Sequence, residues 1–379
     1  MGAQIAVMFM PDGMTLTKEK TPLMLRPVMF CPILTWMFEE LMGAGIERFF
    51  VVSDVSAHDL MRPYIPEKAD VVYVDGAKHA EELQKLLKNV KDRVVIVNGA
   101  VLPVGVFSGG AVYSAEAKEC CKVLKEHGAF AAFPKGAEVM KGFLPVGDEE
   151  ELRSAMGMVR QKIADKHFAR GVSIMDPNNT YIDPRVQIGE GTVILPGTIL
   201  RGETVIGRNC TVGPNAMVNN CTVGDETEIN ASQLNDSTVG SHTTVGPFAY
   251  VRPNSHIGDH VKVGDFVEIK NSVIGNGTKI AHLTYVGDTD CGERINFGCG
   301  TVTTNYDGFK KFRCTIGDDA FIGCNTNLVA PVTVGKGSYI AAGSTITDEV
   351  PENALAIART KQTNKDGWAD KWRKLHEKK

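Results

Sequence analysis

Residues 182–218 decide the fold, and divided into sixes they read IDPRVQ IGEGTV ILPGTI LRGETV IGRNCT VGPNAM V. Every group begins with isoleucine, leucine or valine. That period matches neither the turn of an α-helix, at about 3.6 residues, nor the alternation of an ordinary strand. The same period of six returns in two later runs of aliphatic residues: Val239, Val245, Val251, Ile257, Val263, Ile269, and Ile316, Ile322, Leu328, Val334, Ile340, Ile346.

Six residues make a short strand and a corner, so three such units close a triangular coil of about eighteen residues. One coil cannot bury its own aliphatic corners, and stacking on its neighbours is required. The repeat therefore predicts a parallel β-helix. The alternative is a sandwich of short strands with glycine turns, which predicts irregular turn spacing and alternating polar residues, whereas the spacing here is even.

Glycine often follows the aliphatic residue of the repeat, as in Ile188-Gly189, Val212-Gly213, Ile257-Gly258, Val263-Gly264 and Val334-Gly335. We expect these glycines at corners where φ is positive and a Cβ would clash.

The composition is that of an ordinary soluble protein: 379 residues, a formal net charge of −4 and 43% hydrophobic residues leave room for two domains. Nothing indicates nucleic acid or a membrane as a partner. The longest uncharged stretch, Val94 to Ala115, contains Asn98, Pro103 and several glycines, which favours a buried strand and loop over a membrane span. We expect a cytoplasmic protein. Its nine cysteines are scattered without a CxxC pair, which favours free thiols over disulfides or a zinc site.

Residues 1–155 have a different pattern, in which apolar runs alternate with segments of helical spacing. This alternation is typical of a doubly wound α/β domain. The predicted strands are Gln4–Phe9, Phe49–Ser53, Asp70–Val74 and Arg93–Val97, and the predicted helices are Pro32–Ala44 and His79–Asn89.

A polar helix from Asp148 to Phe168 should then link this domain to the repeats, with the linker ending at about residue 175. Its acidic first turn and basic last turn complement the helix dipole. We expect the β-helix domain over residues 176–360 and a tail over 361–379, either a short helix or loose.

The repeat fails in two places, and chemistry is expected there because corners that only stack need no exceptions. One is Ala281 to Tyr285, which contains His282. The other is the interval from Val302 to Ile316, which is too long for the period and should leave the coil as a loop. Loops on a stiff scaffold are favoured positions for binding groups. The alternative is that the interval is an insertion without a function.

Several motifs stand out between Pro247 and Trp368: Tyr250-Val251-Arg252-Pro253, residues 264–270 (GDFVEIK), residues 282–288 (HLTYVGD), residues 304–308 (TNYDG), residues 328–332 (LVAPV) and residues 354–359 (ALAIAR). Through these motifs the segment resembles one enzyme family, the bifunctional N-acetylglucosamine-1-phosphate uridyltransferase/glucosamine-1-phosphate N-acetyltransferases, in their acetyltransferase half. The resemblance implies a left-handed β-helix, a homotrimer with active sites between subunits, acetyl-CoA as co-substrate and no metal for acetyl transfer.

The resemblance implies His282 as the base, because an imidazole titrating near neutral pH can take the proton of an attacking amine. Glu268 is the predicted partner that orients the ring, and Asn305 would stabilise the oxyanion. The alternatives are a packed or surface histidine and a solvated carboxylate.

Arg252 and Lys270 match the family's sugar-phosphate contacts. The planar guanidinium of arginine and the compact ammonium of lysine together suit a phosphate monoester. Tyr285, Asn296 and Lys311 match further sugar-binding positions. For Asn296 the alternative is an asparagine ladder that stabilises a corner.

Asn305 and Tyr306 match the loop at the acetyl end of the coenzyme, and Ala342 and Arg359 match the positions along its arm and charged end. Cys299 and Cys324 stand where the family usually has alanine and serine. They should still permit coenzyme binding, although the sulfur is a weaker hydrogen-bonding group. A catalytic cysteine is the alternative.

The N-terminal part departs from the family. Where its members have a glycine-rich L-x-x-G-x-G-x-R-M loop and a Pro-Lys pair, this chain has Phe9–Leu16 and Thr21-Pro22-Leu23. Where an aspartate holds the metal, it has residues 98–103 (NGAVLP). A nucleotide with magnesium would lack its ligands. We therefore expect a degenerate, Rossmann-like nucleotidyltransferase domain that has lost uridyl transfer.

The sequence thus predicts acetyl-CoA-dependent N-acetylation of glucosamine 1-phosphate, or a close amino-sugar phosphate, toward UDP-N-acetylglucosamine. The alternatives are a sugar-1-phosphate nucleotidyltransferase with retained or dual activity, and a non-catalytic trimeric scaffold.

Overall fold

A computed structural model describes residues 4–10, 22–105, 110–130 and 133–377. The chain forms two compact units, Met1–Asn220 and Cys221–Lys379. The domain boundaries inferred from the sequence, 1–155, 176–360 and 361–379, stay a prediction.

The first unit begins with an α/β part in which short helices follow most strands. Short 3₁₀ helices interrupt it at Leu23–Leu25, Arg62–Tyr64 and Gly76–Lys78. Its strands and α-helices are β1 (Ile5–Phe9), β2 (Pro27–Val28), β3 (Cys31–Pro32), α1 (Ile33–Gly43), β4 (Arg48–Ser53), α2 (Val55–Met61), β5 (Asp70–Asp75), α3 (His79–Leu87), β6 (Arg93–Asn98), β7 (Val101–Pro103), β8 (Val112–Glu116), α4 (Ala117–His127), β9 (Glu138–Val139), β10 (Phe143–Pro145) and α5 (Glu149–Phe168).

The main sheet has the order β5-β4-β1-β6-β8-β9. Strands β5, β4, β1 and β6 are parallel, whereas β8 runs antiparallel to β6 and β9 runs antiparallel to β8. The parallel strands are nearly continuous apolar runs because helices cover both faces of such sheets, and Val7, Val52 and Ile96 are fully buried. The predicted doubly wound α/β arrangement is confirmed.

Helix α5 begins where the sequence predicted. The Asp148 carboxylate accepts hydrogen bonds from the backbone amides of Glu150 and Glu151 at 2.9 and 2.8 Å. This cap satisfies two of the amides that every helix leaves unpaired at its N-terminus.

His167, on the last turn of α5, should make the first unit sensitive to acid. The side chain is fully buried, and neither ring nitrogen has a hydrogen-bond partner in the described residues. Burial, then the charges of Lys166 and Arg170, lowers its pKa from 6.5 to about 4. The unfolded chain therefore binds the extra proton first, and stability is fully present above pH 6.5 and declines as the pH falls toward 4.

We expect this loss to reach about 3 kcal/mol and to flatten in a His167→Leu variant. Urea unfolding followed by circular dichroism between pH 7 and 4 measures it, with the exposed His127→Leu as control. An equal decline in His167→Leu would show that other groups cause the acid sensitivity.

In both units the repeats form a parallel β-helix with three faces, which confirms the predicted parallel β-helix. Paired strands are usually eighteen residues apart, as for Tyr181 and Ile199. A 3₁₀ helix, Pro177–Asn179, lies at the start. The strands of the first unit are β11 (Ser173–Ile174), β12 (Tyr181–Ile182), β13 (Gln187–Ile188), β14 (Val193–Ile194), β15 (Ile199–Arg201), β16 (Val205–Ile206), β17 (Thr211–Val212) and β18 (Met217–Asn219).

The second unit continues the repeat and ends in a helix, α6, whose residues are exposed. Its elements are β19 (Thr222–Val223), β20 (Glu228–Ile229), β21 (Gln233–Asn235), β22 (Thr238–Val239), β23 (Thr244–Val245), β24 (Tyr250–Val251), β25 (His256–Ile257), β26 (Lys262–Asp265), β27 (Glu268–Lys270), β28 (Val273–Ile274), β29 (Lys279–His282), β30 (Tyr285–Gly287), β31 (Thr289–Cys291), β32 (Asn296–Phe297), β33 (Val302–Thr304), β34 (Cys314–Ile316), β35 (Phe321–Ile322), β36 (Asn327–Val329), β37 (Val332–Val334), β38 (Tyr339–Ile340), β39 (Thr345–Ile346), β40 (Leu355–Ala356) and α6 (Trp368–His376).

The aliphatic residues of the repeat point inward. All those quoted from the three runs are at most 5% exposed. Each buried aliphatic side chain contributes about 1.5–3 kcal/mol, so the stack of rungs is a rigid support for the polar groups on its outside.

The prediction for the repeat glycines was half right. Gly213 has a positive φ of 109°, but Gly189, Gly258, Gly264 and Gly335 do not. They are glycines because of space: a Cβ on Gly264, for example, would collide with the carbonyl of Ala281 on the next rung. Positive φ falls two residues later, where asparagine, histidine and aromatic residues also occur.

The interval between β33 and β34 leaves the coil as predicted, in a loop from Asn305 to Arg313. Asp307 closes it by accepting hydrogen bonds from the amides of Phe309 and Lys310 at 2.8 and 2.7 Å. In the ranges that the structure describes, no helix combines the length with the apolar composition needed to span a bilayer.

Candidate active site

His282 lies at a corner of the second unit, at the end of β29. Strands β26 and β29 place it in register with Asp265 on the preceding rung, and its Nδ1 lies 2.8 Å from the Asp265 carboxylate. The hydrogen bond from His282 lowers the pKa of Asp265 below its ordinary range. An ionised carboxylate accepts from Nδ1–H, which leaves Nε2 as the nitrogen that can take a proton. The imidazole is 58% exposed and can meet a substrate.

The structure corrects the prediction that Glu268 orients His282. Glu268 lies on β27 in register with Tyr250 and Tyr285, on another face of the coil. Its carboxylate accepts from Arg252 at 2.7 Å. Sequence proximity to Lys270 suggested Glu268, whereas contacts in a β-helix follow the spacing of one rung, which favours Asp265.

Asp265 should matter for the rate more than for binding. For Asp265→Asn we expect kcat of the acetyl transfer predicted from the sequence to fall about tenfold, because an exposed charge-assisted hydrogen bond holding the ring is lost, while KM for acetyl-CoA stays unchanged. Steady-state kinetics with Asp265→Glu as the rescuing variant measures this effect. Asp319→Asn, which removes another exposed carboxylate, is the control, and equal losses in both variants would contradict the assignment.

The cations Arg252, Lys270 and Lys311 form a positive cluster, since the charges of Arg252 and Lys311 both act on Lys270. Lys270 lies 3.6 Å from the carboxylate of Asp288. The adjacent Lys311 ammonium, then burial, lowers the pKa of Lys270 below its ordinary value, while Asp288 opposes the shift. Two ammonium groups close enough to oppose each other's charge are stabilised by a bound anion, and a phosphate monoester suits this cluster.

Asp288 is a residue that the sequence reasoning missed. It is 4% exposed and accepts hydrogen bonds from the side-chain amides of Asn271 and Asn305. Burial raises its pKa, but these hydrogen bonds and the charges of Lys270 and Lys311 outweigh it and lower the pKa below the ordinary value. Asp288 ends the motif of residues 282–288, which was the available signal. Its carboxylate fixes both Lys270 and Asn305.

Tyr285 and Asn305 are held together above Gly287. A Cβ on Gly287 would collide with the Tyr285 ring and hydroxyl, so only glycine permits this ring position. The Asn305 amide lies 3.4 Å from the Tyr285 hydroxyl and is 8% exposed. The sugar and oxyanion roles of these residues stay predictions.

The predicted coenzyme residues Cys299, Cys324 and Ala342 follow His282 along the same corner on later rungs. The amide of Asn325 donates to the Cys299 carbonyl at 2.8 Å, and that of Gly343 donates to Cys324 at 2.8 Å. Arg359 passes beside this column, with its Cδ 3.8 Å from the Cβ position of Gly343.

Two further predicted residues, Asn296 and Tyr306, also lie in the second unit. Asn296 lies on β32, in register with Lys279 and Phe321. Tyr306 is exposed, and its hydroxyl donates to the Gly308 carbonyl at 2.6 Å. The ligand contacts of both residues stay predictions.

Comparison with known proteins finds a family model described as bacterial transferase hexapeptide (six repeats) at residues 236–271 and 313–348. The bifunctional protein GlmU of Caldanaerobacter subterraneus subsp. tengcongensis is 45% identical over 310 residues, which are 80% of this chain and 67% of that protein.

Two further relatives carry the same name. The protein of Geobacillus sp. is 50% identical over 250 residues, 66% of this chain and 54% of the relative. That of Clostridium acetobutylicum is 55% identical over 217 residues, which are 57% of this chain and 48% of the relative. The chain thus spans between about half and two thirds of the length of these relatives.

Proposed function

The chain belongs to the family of the bifunctional protein GlmU, with its hexapeptide transferase repeats, and from this premise we propose that it is an acetyl-CoA-dependent N-acetyltransferase acting on glucosamine 1-phosphate. The observation that carries the proposal is the pairing of a carboxylate-held imidazole, His282 with Asp265, with a cation cluster on the adjoining face. A close amino-sugar phosphate has the same chemistry. The product leads to UDP-N-acetylglucosamine in the cytoplasm.

In this mechanism the amine of the sugar attacks the acetyl carbonyl of acetyl-CoA directly. Nε2 of His282 takes the proton that the amine loses, and the thiolate of coenzyme A leaves and is protonated. Asp265 holds the imidazole in the required tautomer and stabilises the imidazolium that forms. Backbone amides or Asn305 stabilise the oxyanion, and no metal ion takes part.

The charges of the cation cluster and the residues that follow His282 along its corner support the placement of both substrates. Arg252, Lys270 and Lys311 would bind the phosphate, which sets the distance of the amine from His282. The thioester would lie along the column of Cys299, Cys324 and Ala342, with Arg359 near the charged end of the coenzyme. A homotrimer would complete these sites with residues of neighbouring copies.

We propose that uridyl transfer is lost. In doubly wound sheets, nucleotides bind where the strand order reverses, which here is the carboxyl edge of β1 and β6. At this edge Phe9 packs against His79 and Phe130, with ring centroids 4.8 and 6.0 Å apart, and the Gly99 amide donates to the Phe9 carbonyl at 3.0 Å. Residues 11–21 lie outside the described residues. They include most of the stretch Phe9–Leu16, which replaces the family's glycine-rich loop, and Thr21 at the position of the Pro-Lys pair.

The test is thiol release from acetyl-CoA across a panel of amino sugars with and without phosphate, together with pyrophosphate release from UTP on the same preparation. We expect thiol release that requires a sugar 1-phosphate, and none from UTP. Pyrophosphate release with UTP would indicate retained or dual nucleotidyltransferase activity. If the protein catalyses neither reaction, the remaining alternative is a non-catalytic scaffold.

A further inference from the structure

Cys299 and Cys324 occupy the same corner position on successive rungs. Strands β32 and β35 pair Asn296 with Phe321 and Phe297 with Ile322. The register continues around the corner, because the Asn325 amide donates to the Cys299 carbonyl at 2.8 Å. Both cysteines are free, Cys299 half-buried and Cys324 exposed.

The spacing of rungs allows these side chains to be joined. Neighbouring β-strands lie about 4.8 Å apart, and a disulfide needs Cα atoms about 4.4–6.8 Å apart. Side chains of this column do reach each other, since Asp265 and His282 make a 2.8 Å hydrogen bond across one rung step. Cysteines at equivalent corner positions can therefore approach bonding distance by rotation of their side chains.

The other cysteines are less reactive. Six of them are buried: Cys31, Cys120, Cys210, Cys221, Cys291 and Cys314. Burial raises the pKa of Cys31 and Cys120 to about 12, and it also raises the pKa of the half-buried Cys121. The thiolate is the reactive form of cysteine, so an oxidant should select the exposed Cys324 and its neighbour.

We propose that Cys299 and Cys324 form a reversible dithiol–disulfide site at the acetyl end of the coenzyme position. With hydrogen peroxide as oxidant, the Cys324 thiolate attacks one peroxide oxygen, which gives a sulfenic acid and hydroxide. The Cys299 thiolate then attacks that sulfur, which forms the disulfide and releases a second hydroxide; the two thiol protons convert both hydroxides to water. His282, one rung before Cys299 by the register of Ile280 with Phe297, can accept the proton of Cys299 and pass it to the second hydroxide.

The disulfide would shut the active site, and this consequence rests on the proposed function. The disulfide joins two rungs at the positions that the thioester must pass to reach His282. It also holds both sulfur atoms close to the corner of the coil. Oxidation thus blocks acetyl transfer, and a dithiol reductant restores it.

The experiment treats the full-length protein with hydrogen peroxide, maps peptides without reduction and follows thiol release from acetyl-CoA before and after dithiothreitol. We expect a peptide pair joined through Cys299 and Cys324, loss of most activity, and recovery on reduction. Cys324→Ser should have the same activity before and after peroxide, and Cys299→Ser should form no bridge, whereas Cys121→Ser should behave as the wild type.

Peptides without that bridge, or a bridge that leaves acetyl transfer unchanged, would overturn the proposal. Mapping uses the wild-type protein, so poor folding of a variant does not affect it. Absence of acetyl transfer in the reduced protein would instead count against the proposed function.

Discussion

Replacing His282 with alanine should lower kcat of acetyl transfer by about 10²–10⁴, the usual contribution of a positioned general base. The side chain stands at an exposed corner and supports no core packing, so the rungs and the coenzyme column should remain intact. Thiol release measures the rate, and calorimetric titration with coenzyme A should show nearly unchanged binding.

The matched control is His260→Ala. His260 also lies at an exposed corner of the second unit, where its ring stacks on His242 at 4.8 Å, and its removal should leave kcat unchanged. Thiol release by His282→Ala at the wild-type rate would remove His282 from the mechanism.

Lys270→Met should lower kcat/KM for glucosamine 1-phosphate about 10- to 100-fold, because a charge-assisted hydrogen bond of about 1.5–3 kcal/mol is lost. The effect should depend on the phosphate: with glucosamine itself, the variant and the wild type should turn over equally slowly. Thiol-release kinetics with both sugars gives the comparison.

Lys310→Met provides the control for this charge change. Its ammonium lies over the Phe312 ring at 4.9 Å, in the loop that also carries Lys311, and the variant should keep the wild-type kcat/KM. An equal loss of turnover with both sugars in Lys270→Met would indicate a structural role for Lys270 in place of phosphate binding.

The coil could be predicted closely because the period of six residues in the sequence equals one strand and one corner of the structure. Ile194, Leu200 and Ile206 are buried for the same reason that they recur every sixth position. The glycine corners were harder. Whether Gly264 is needed for its φ or for the approach of Ala281 depends on the distance between rungs, and a one-dimensional pattern does not contain that distance.

The candidate site was predictable in its members and less so in their pairing. His282, Arg252 and Lys270 were found through motifs, but the partner of His282 is seventeen residues away, one rung earlier. Asp288 was missed because its place at the end of the motif of residues 282–288 does not reveal its contacts with Asn271 and Asn305, which come from other rungs.

A crystal structure of the protein with coenzyme A and glucosamine 1-phosphate bound tests the central claim most directly. We expect the sugar nitrogen within about 3 Å of His282 Nε2, with the phosphate on Lys270 and Arg252. An imidazole that faces away from the bound amine, or a phosphate held elsewhere on the coil, would contradict it.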